Sequence, residues 1–438
     1  MHQKISGCRL CSCDRLESII SLGDQAFTGI FPKSKAHLVP TGPLTLVKCT
    51  ECHLVQLEHS FDLTELYGPT YGYRSGLNRS MVEHLTRKVE KIVTLYGLNS
   101  EDLVLDIGSN DCTTLKAYPK GNYSLVGMDP TGVKFRQFYP EHVTLIPDFF
   151  SAKKVGQWMQ GKKAKVITSF AMFYDLESPL TFAKDVASIL ANDGVWVFEQ
   201  SYLPAMLDLV SYDTICHEHL EYYSLYQIQW IAQRAGLKII DIEFNDVNGG
   251  SVSITAAKLS SGYSECTARL EATLRSEKER GLQTLEPYRT FVQETERQRK
   301  DLLALVKSIR ATGKTVFGYG ASTKGNVLLQ YCGLTEDDMP FIAEVNEEKF
   351  GAYTPGTRIP ILSEKEARLR KPDYFLVLPW HFRSGILKRE TEFLKSGGSF
   401  IFPLPKIEIV SESGVFSVEK LGLRASKQQE TVIPANLV

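Results

Sequence analysis

Four cysteines fall in two close pairs, Cys8-Arg-Leu-Cys11 and Cys49-Thr-Glu-Cys52. Each C-x-x-C turn presents two thiolates from one tight bend, and two such turns supply the tetrahedral sulfur site that holds structural zinc. Cys13 could replace Cys11 as a ligand, and His53, beside Cys52, reads as a surface residue. A second set of residues is acidic: Leu103-Val-Leu-Asp106-Ile-Gly108-Ser-Asn110-Asp111-Cys112, followed by Leu125-Val-Gly-Met-Asp129. An apolar run that holds an acid and ends on glycine is followed by a second run tipped with an acid, where a carboxylate can accept both hydroxyls of a ribose. The G-x-G-x-x-G spacing of a pyrophosphate cradle is absent. The third set, Asp213-Thr-Ile-Cys216-His217-Glu218-His219-Leu-Glu221-Tyr222-Tyr223-Ser224, concentrates imidazoles, carboxylates and phenols. Glu221 stands where H-E-x-x-H would need its second histidine, so this is not the zinc-protease pattern. Taken as extended chain, it puts His217 and His219 on one face. Its density suits acid–base work, with His219 or His217 as base.

These groups need a scaffold. Unbroken apolar runs at 103–107, 125–129, 143–150, 165–175 and 194–200, with a helical segment at 179–190, predict a doubly wound, largely parallel sheet. Its carboxyl edge would carry the acids and the histidine cluster. The third run ends in Asp148 and Phe149, placed to meet an adenine or simply to cap a turn. Before the first run lies Tyr67-Gly-Pro-Thr-Tyr71-Gly-Tyr73-Arg-Ser-Gly76, a phenol-rich loop leading into a helix at 77–96. From 266 to 311 the chain reads as a long, mostly solvated helix, with a break at Pro287. A second, smaller Rossmann-like unit follows. Its Gly320-Ala-Ser322-Thr-Lys324-Gly-Asn326 turn suits a phosphate, although Gly318 and Gly320 could equally serve close packing. Trp380-His381 sits at the matching edge, with His381 a ligand contact or a structural side chain.

At 438 residues the chain exceeds one core, and its 43% hydrophobic and 23% charged composition is that of an ordinary globular protein. A net charge of −1 gives no general pull toward nucleic acid or anionic membrane. No apolar run is long enough to span a bilayer; nine cysteines in this length are no disulfide scaffold, and the two close pairs point to metal in a reducing compartment, so cytoplasm is the expected location. Nothing in the sequence sets an oligomeric state.

The acid-hydrophobe-Gly-x-Asn-Asp turn with its acid-tipped second run resembles the class I S-adenosylmethionine (SAM) methyltransferase signature. His217-Glu-His-Leu-Glu-Tyr-Tyr-Ser224 resembles the E-H-hydrophobe-x-Tyr-Tyr-Ser motif of sugar C-methyltransferases, which methylate C3 of nucleotide-linked 4-keto-deoxysugars. That resemblance spans nearly the whole chain. It implies an α/β protein with an N-terminal zinc-binding module (1–70), a central SAM-binding Rossmann-like domain (71–262), a long helix with a C-terminal Rossmann-like sugar-nucleotide domain (263–410), and an irregular tail (411–438). It implies structural zinc on Cys8, Cys11, Cys49 and Cys52, and SAM on Asp106, Gly108, Asn110, Asp111, Asp129, Asp148 and Phe149. His219 would be the base, with Glu218, His217, Tyr71, Tyr73 and Tyr222 nearby. Gly320, Ser322, Lys324, Asn326 and His381 would meet the nucleotide sugar. Three positions depart from the family: Cys112 where its turn usually ends in glycine, Asp175 for histidine and Cys216 for tyrosine. Alternatives are an O- or N-methyltransferase of a related metabolite, or a zinc- and SAM-binding interaction module without chemistry.

Overall fold

The computed structural model describes residues 2–67, 71–159 and 161–417. Gly68, Pro69 and Thr70 of the tyrosine loop, and 418–438 of the expected tail, lie outside the described residues. Two seven-stranded sheets and a four-stranded sheet organise the chain.

In the central sheet the order is Leu237–Asn245, Ser251–Lys258, Leu190–Ser201, Ala164–Phe170, Leu103–Ile107, Ser124–Met128, Val143–Ile146. All pairings from Leu190–Ser201 to Val143–Ile146 are parallel, and Ser251–Lys258 inserts antiparallel. Leu103–Ile107 is buried throughout, as an unbroken apolar run between parallel neighbours must be. The last two strands, Leu237–Asn245 and Ser251–Lys258, were not among the expected runs, because their alternating polar positions hide them.

The long helix expected to break at Pro287 is two helices, Thr267–Glu279 and Glu286–Ala311. The break precedes Pro287, at a turn where Gly281 takes φ +71°. Pro287 sits in the first turn of the second helix, where its missing N–H costs nothing. This helix is not mostly solvated: Tyr288, Phe291, Leu302, Leu305, Val306 and Ile309 form a buried stripe against the C-terminal sheet. That sheet runs Ile361–Ser363, Ile342–Glu344, Val316–Tyr319, Tyr374–Val377, Ser399–Phe402 in parallel. Two antiparallel strands, Glu408–Ser411 and Gly414–Ser417, complete it, the second within the stretch expected as an irregular tail.

The N-terminal sheet joins Leu16–Ala26, Thr41–Cys49 and Val55–Leu57 to a fourth strand, Glu221–Tyr222, from the histidine-rich loop. The backbone after that strand is held by Glu277. Its carboxylate accepts Leu225 N at 2.6 Å and Tyr226 N at 3.1 Å, the first amides of helix Leu225–Arg234, and Tyr202 Oη at 2.7 Å. Glu277→Ala would strand these donors in a buried site and should lower unfolding stability by about 2–3 kcal/mol. Denaturant titration showing a loss below about 0.5 kcal/mol would mean water or another group replaces the carboxylate.

Candidate active site

The two knuckles bring the sulfurs of Cys8, Cys11, Cys49 and Cys52 within 4.8 Å of one another. Cys8–Cys52 and Cys11–Cys49 are each 3.5 Å apart. Zn–S bonds of ~2.3 Å give a tetrahedron with edges of about 3.8 Å, so the four thiols fit zinc with little adjustment. Each knuckle closes on a left-handed residue, Ser12 (φ 62°) and His53 (φ 59°). Cys13 stays outside the cluster, its sulfur 3.4 Å from Arg15 N. His53 is half-buried, 3.4 Å from Lys48 Nζ.

At the carboxyl edge of the central sheet, Gly108 takes φ +76°, and a Cβ there would meet Met172 at 3.0 Å. Asp129 ties the first two strand ends together: Oδ2 accepts Asn110 N at 2.8 Å, and Oδ1 accepts Thr131 N at 2.7 Å. Asp106 Oδ1 accepts Thr168 Oγ1 at 2.6 Å, while its buried Oδ2 has no partner and burial pushes its pKa up to about 7. Asp111, expected at the cofactor, accepts Gly76 N of the lead-in segment at 3.1 Å, with Arg74 at 3.5 Å. Asn110 Oδ1 likewise accepts Ser75 N at 3.0 Å. The tyrosine loop is thus pinned over the turn. Tyr73 keeps 44% of its surface exposed. Burial raises the Tyr71 phenol pKa well above its usual value, and Asp175, Glu218, Tyr73 and Asp129 add to the rise. Asp148 bonds Phe149 N at 2.7 Å and pairs with Lys154 at 2.6 Å, while Phe149 stays 37% exposed.

The histidine-rich loop does not put its two histidines on one face, because 216–220 is a turn: His219 N donates to Cys216 O at 3.1 Å. His217 points into the N-terminal module, fully buried between Phe27 and Phe61 with both ring centroids at 4.7 Å, its Nε2 bonded to Gly42 O at 3.1 Å. It is held away from His219. His219 Nδ1 lies 3.0 Å from Thr214 O, so the neutral ring carries its proton on Nδ1 and leaves the Nε2 lone pair free. Tyr222 donates to the same carbonyl at 3.1 Å and braces it. Burial, then the charge of Lys324, pushes the His219 pKa down to about 3. Glu218 is buried against Thr28 and Gly29, and burial raises its carboxyl pKa.

From the C-terminal sheet, helix Thr323–Cys332 aims Lys324 at this loop. Its ammonium donates to Asn248 O at 2.9 Å and acts on Asp213, Cys216, His219 and His381. Asp213, whose indole partner Trp380 lies at 2.8 Å, closes the junction. The phosphate turn is largely spent internally. Ala321 N donates to Glu344 at 2.7 Å, Ser322 Oγ caps Gly325 N at 3.0 Å, and Gly320 (φ +80°) makes room for Pro379, which a Cβ would meet at 2.7 Å. Asn326, fully buried, donates to Thr28 O at 2.7 Å and holds the helix to the N-terminal module. The sequence did not single out Thr28, Asn248 or Gln200. Gln200, 1% exposed at the end of Leu190–Ser201, has an amide with no partner on either atom.

Residues 8–67 match a zinc-binding domain model, 81–242 a methyltransferase domain model, and 246–405 the model of a C-methyltransferase C-terminal domain. The chain is 33% identical to the C-methyltransferase NovU of Streptomyces niveus over 93% of this chain and 97% of that one. The chain belongs to the C-methyltransferase family. It is a SAM-dependent methyltransferase with a structural zinc module. Among solved structures, a SAM-dependent methyltransferase from Clostridium acetobutylicum matches at TM-score 0.31 and 12% identity, covering 40% of this chain and 92% of that one. LepI in complex with SAM matches at TM-score 0.33 and 14%, covering 42% and 53%. Likenesses this weak carry no functional weight. The cofactor turn itself fits SAM: Asp106 Oδ2 is a buried acceptor lacking a donor, and Asp129 keeps lone pairs for hydroxyls.

No helix among the described residues is long and apolar enough to cross a membrane.

Because Glu221–Tyr222 pairs with Val55–Leu57 and Gln227 Nε2 donates to Cys52 O at 2.9 Å, loss of zinc should reach the histidine loop. Cys49→Ser should bind far less than one zinc per chain, and amides 220–223 should exchange faster by hydrogen-exchange mass spectrometry. Full zinc occupancy in this variant, or unchanged exchange in zinc-free protein, would break the link.

Proposed function

We propose that this enzyme transfers a methyl group to C3 of a nucleotide-linked 4-keto-deoxysugar, with His219 as base. The observation that carries the reading is the meeting of Lys324 and His381 with the His219 loop at one junction between the two large sheets. A substrate with a sugar at one end and an anionic nucleotide at the other suits such a junction. Lys324 supplies the positive charge. Asp106, Gly108, Asn110 and Asp129 hold the cofactor, and Tyr71 closes the gap between its turn and the base.

A C4 carbonyl acidifies the C3 hydrogen. His219 Nε2 takes that proton, and the electron pair moves toward the carbonyl oxygen. The carbon then attacks. Bound SAM supplies the sulfonium methyl that receives it. A low imidazole pKa keeps His219 neutral and available, but also makes it a weak base, so stabilisation of the enolate oxygen must provide much of the driving force.

Two measurements test this. With SAM and a thymidine-diphosphate 4-keto-6-deoxyhexose, His219→Asn should lose ~10²–10⁴ in methyl transfer while retaining SAM affinity by calorimetry. Solvent deuterium exchange at C3 should vanish with it, whereas O- or N-methylation needs no such exchange. Retained exchange and transfer in His219→Asn would remove the base. The second measurement is the acid limb of kcat/KM. A base held neutral by burial and Lys324 keeps working well below the usual imidazole range. Lys324→Met removes the like charge, so the limb should move to higher pH by on the order of one unit. A limb that stays in place would detach Lys324 from His219.

A further inference from the structure

Asp175 ends the 3-10 turn Phe173–Asp175 that follows strand Ala164–Phe170. Its Oδ2 accepts Tyr67 Oη at 2.7 Å, and its buried Oδ1 has no partner. The titratable groups within its electrostatic reach come from three elements: Tyr67 and Tyr71 from the lead-in loop, Tyr174 beside it, and Cys216, Glu218, Glu221, Tyr222 and Tyr223 from the histidine loop. The charged neighbour acting on it is Glu218, itself buried. Glu218 acts on it as a like charge, and a carboxyl whose Oδ1 is buried without a partner is disfavoured as an anion, so Asp175 keeps its proton. Burial raises the Asp175 pKa well above the carboxylate range, and Glu218 adds to the rise. In a neutral carboxylic acid one oxygen accepts and the other carries the hydrogen. Tyr67 donates to Oδ2, which leaves the hydrogen on Oδ1, where it meets no acceptor. A buried O–H without an acceptor is a vacancy for a ligand oxygen.

The base is close by. Leu220 N donates to Tyr174 O at 2.8 Å, and the Tyr174 and His219 rings lie 4.3 Å apart. Acid and base therefore hang from two backbones joined by one hydrogen bond.

We infer that Asp175 is a catalytic residue that stays protonated and donates its Oδ1 hydrogen bond to the substrate's carbonyl oxygen as that oxygen becomes an enolate. The inference rests on the carbon-methylation reading above. His219 removes the C–H proton, the bonding pair becomes the C=C of the enolate, and the carbonyl π pair moves to the oxygen facing Asp175. When the carbon attacks, the C=O re-forms, the new C–CH3 bond replaces the S–CH3 bond, and the sulfur keeps the departing pair. The proton leaves on His219. Asp175 ends with the hydrogen it began with, so no further reactant is needed. A carboxylic acid in an apolar site serves as such a donor, and loss of one oxyanion donor costs ~10²–10³ in rate.

Asp175→Asn retains a neutral donor, whereas Asp175→Ala removes it. With SAM and the thymidine-diphosphate 4-keto-6-deoxyhexose, Asp175→Ala should lose ~10²–10³ in kcat, and Asp175→Asn should recover all but about tenfold. Wild type should lose activity at high pH as the carboxyl pair ionises, and Asp175→Asn should lack that limb. Calorimetry with SAM confirms that each variant is folded. Independently of any sugar, the difference infrared spectrum of wild type minus Asp175→Asn at pH 7 should show the C=O stretch of a protonated carboxylic acid. Absence of that band overturns the inference, as does an Asp175→Asn as inactive as Asp175→Ala, or an alkaline limb that persists in Asp175→Asn. A band present in a wild-type enzyme that methylates no keto-sugar nucleotide overturns instead the substrate reading, and with it the oxygen assigned to Asp175.

Discussion

The pairing of Glu221–Tyr222 with Val55–Leu57 is the contact on which the site depends. It makes the histidine loop part of the zinc module's sheet, and every neighbour of that loop reinforces the bond. Leu57 N reaches Leu220 O, Gly42 O takes His217, and Thr28 and Gly29 wall in Glu218. Arg9, between two zinc ligands, donates to Leu57 O, His59 O and Glu177, and lies 3.9 Å from Glu221. The C-terminal sheet leans on the same module through Asn326 and through Gln330, whose amide exchanges hydrogen bonds with Ala26. Structural zinc contributes ~10–16 kcal/mol in small modules at neutral pH, far more than any one of these contacts. The metal therefore secures a surface against which two other layers are aligned.

What those layers enclose is a site that favours uncharged forms. His219 is driven down by burial and a lysine, while Asp175 and Glu218 are driven up by burial, Asp175 further by the charge of Glu218. In a low dielectric a neutral imidazole and a neutral acid are the cheaper partners, and a charge that develops during reaction is felt strongly by fixed dipoles. The Tyr67 hydroxyl on Asp175 and the Thr214 carbonyl at His219 each fix which atom carries the hydrogen. Orientation at this level comes from neighbours of the reacting groups.

The zinc cluster was legible because its geometry follows from two short motifs. So was Leu103–Ile107 with its turn, where hydrophobic continuity and one glycine suffice. Long-range partners were not legible. His217 looks like a twin of His219, yet Phe27, Phe61 and Gly42 claim it from a module distant in sequence. Asn326 reads as part of a phosphate turn, and its real partner is a carbonyl 298 positions away. Asp111 and Asp148 were read from their places at strand ends, and local amides and cations compete for both. The helix break was misplaced because Pro287 is a conspicuous breaker, whereas Gly281 acts through a positive φ that composition does not reveal.

The fourth strand of the zinc module's sheet also has a consequence for synthesis. Gln227 and Cys52 bond across 175 positions of chain. At ~5–20 residues per second, the ribosome needs roughly ten to thirty seconds to make that stretch. Throughout that interval the knuckles can already hold metal, while Val55–Leu57 presents an open edge able to pair with the wrong strand. Its short length, three residues, is a safeguard suited to a nascent chain that must wait for its partner.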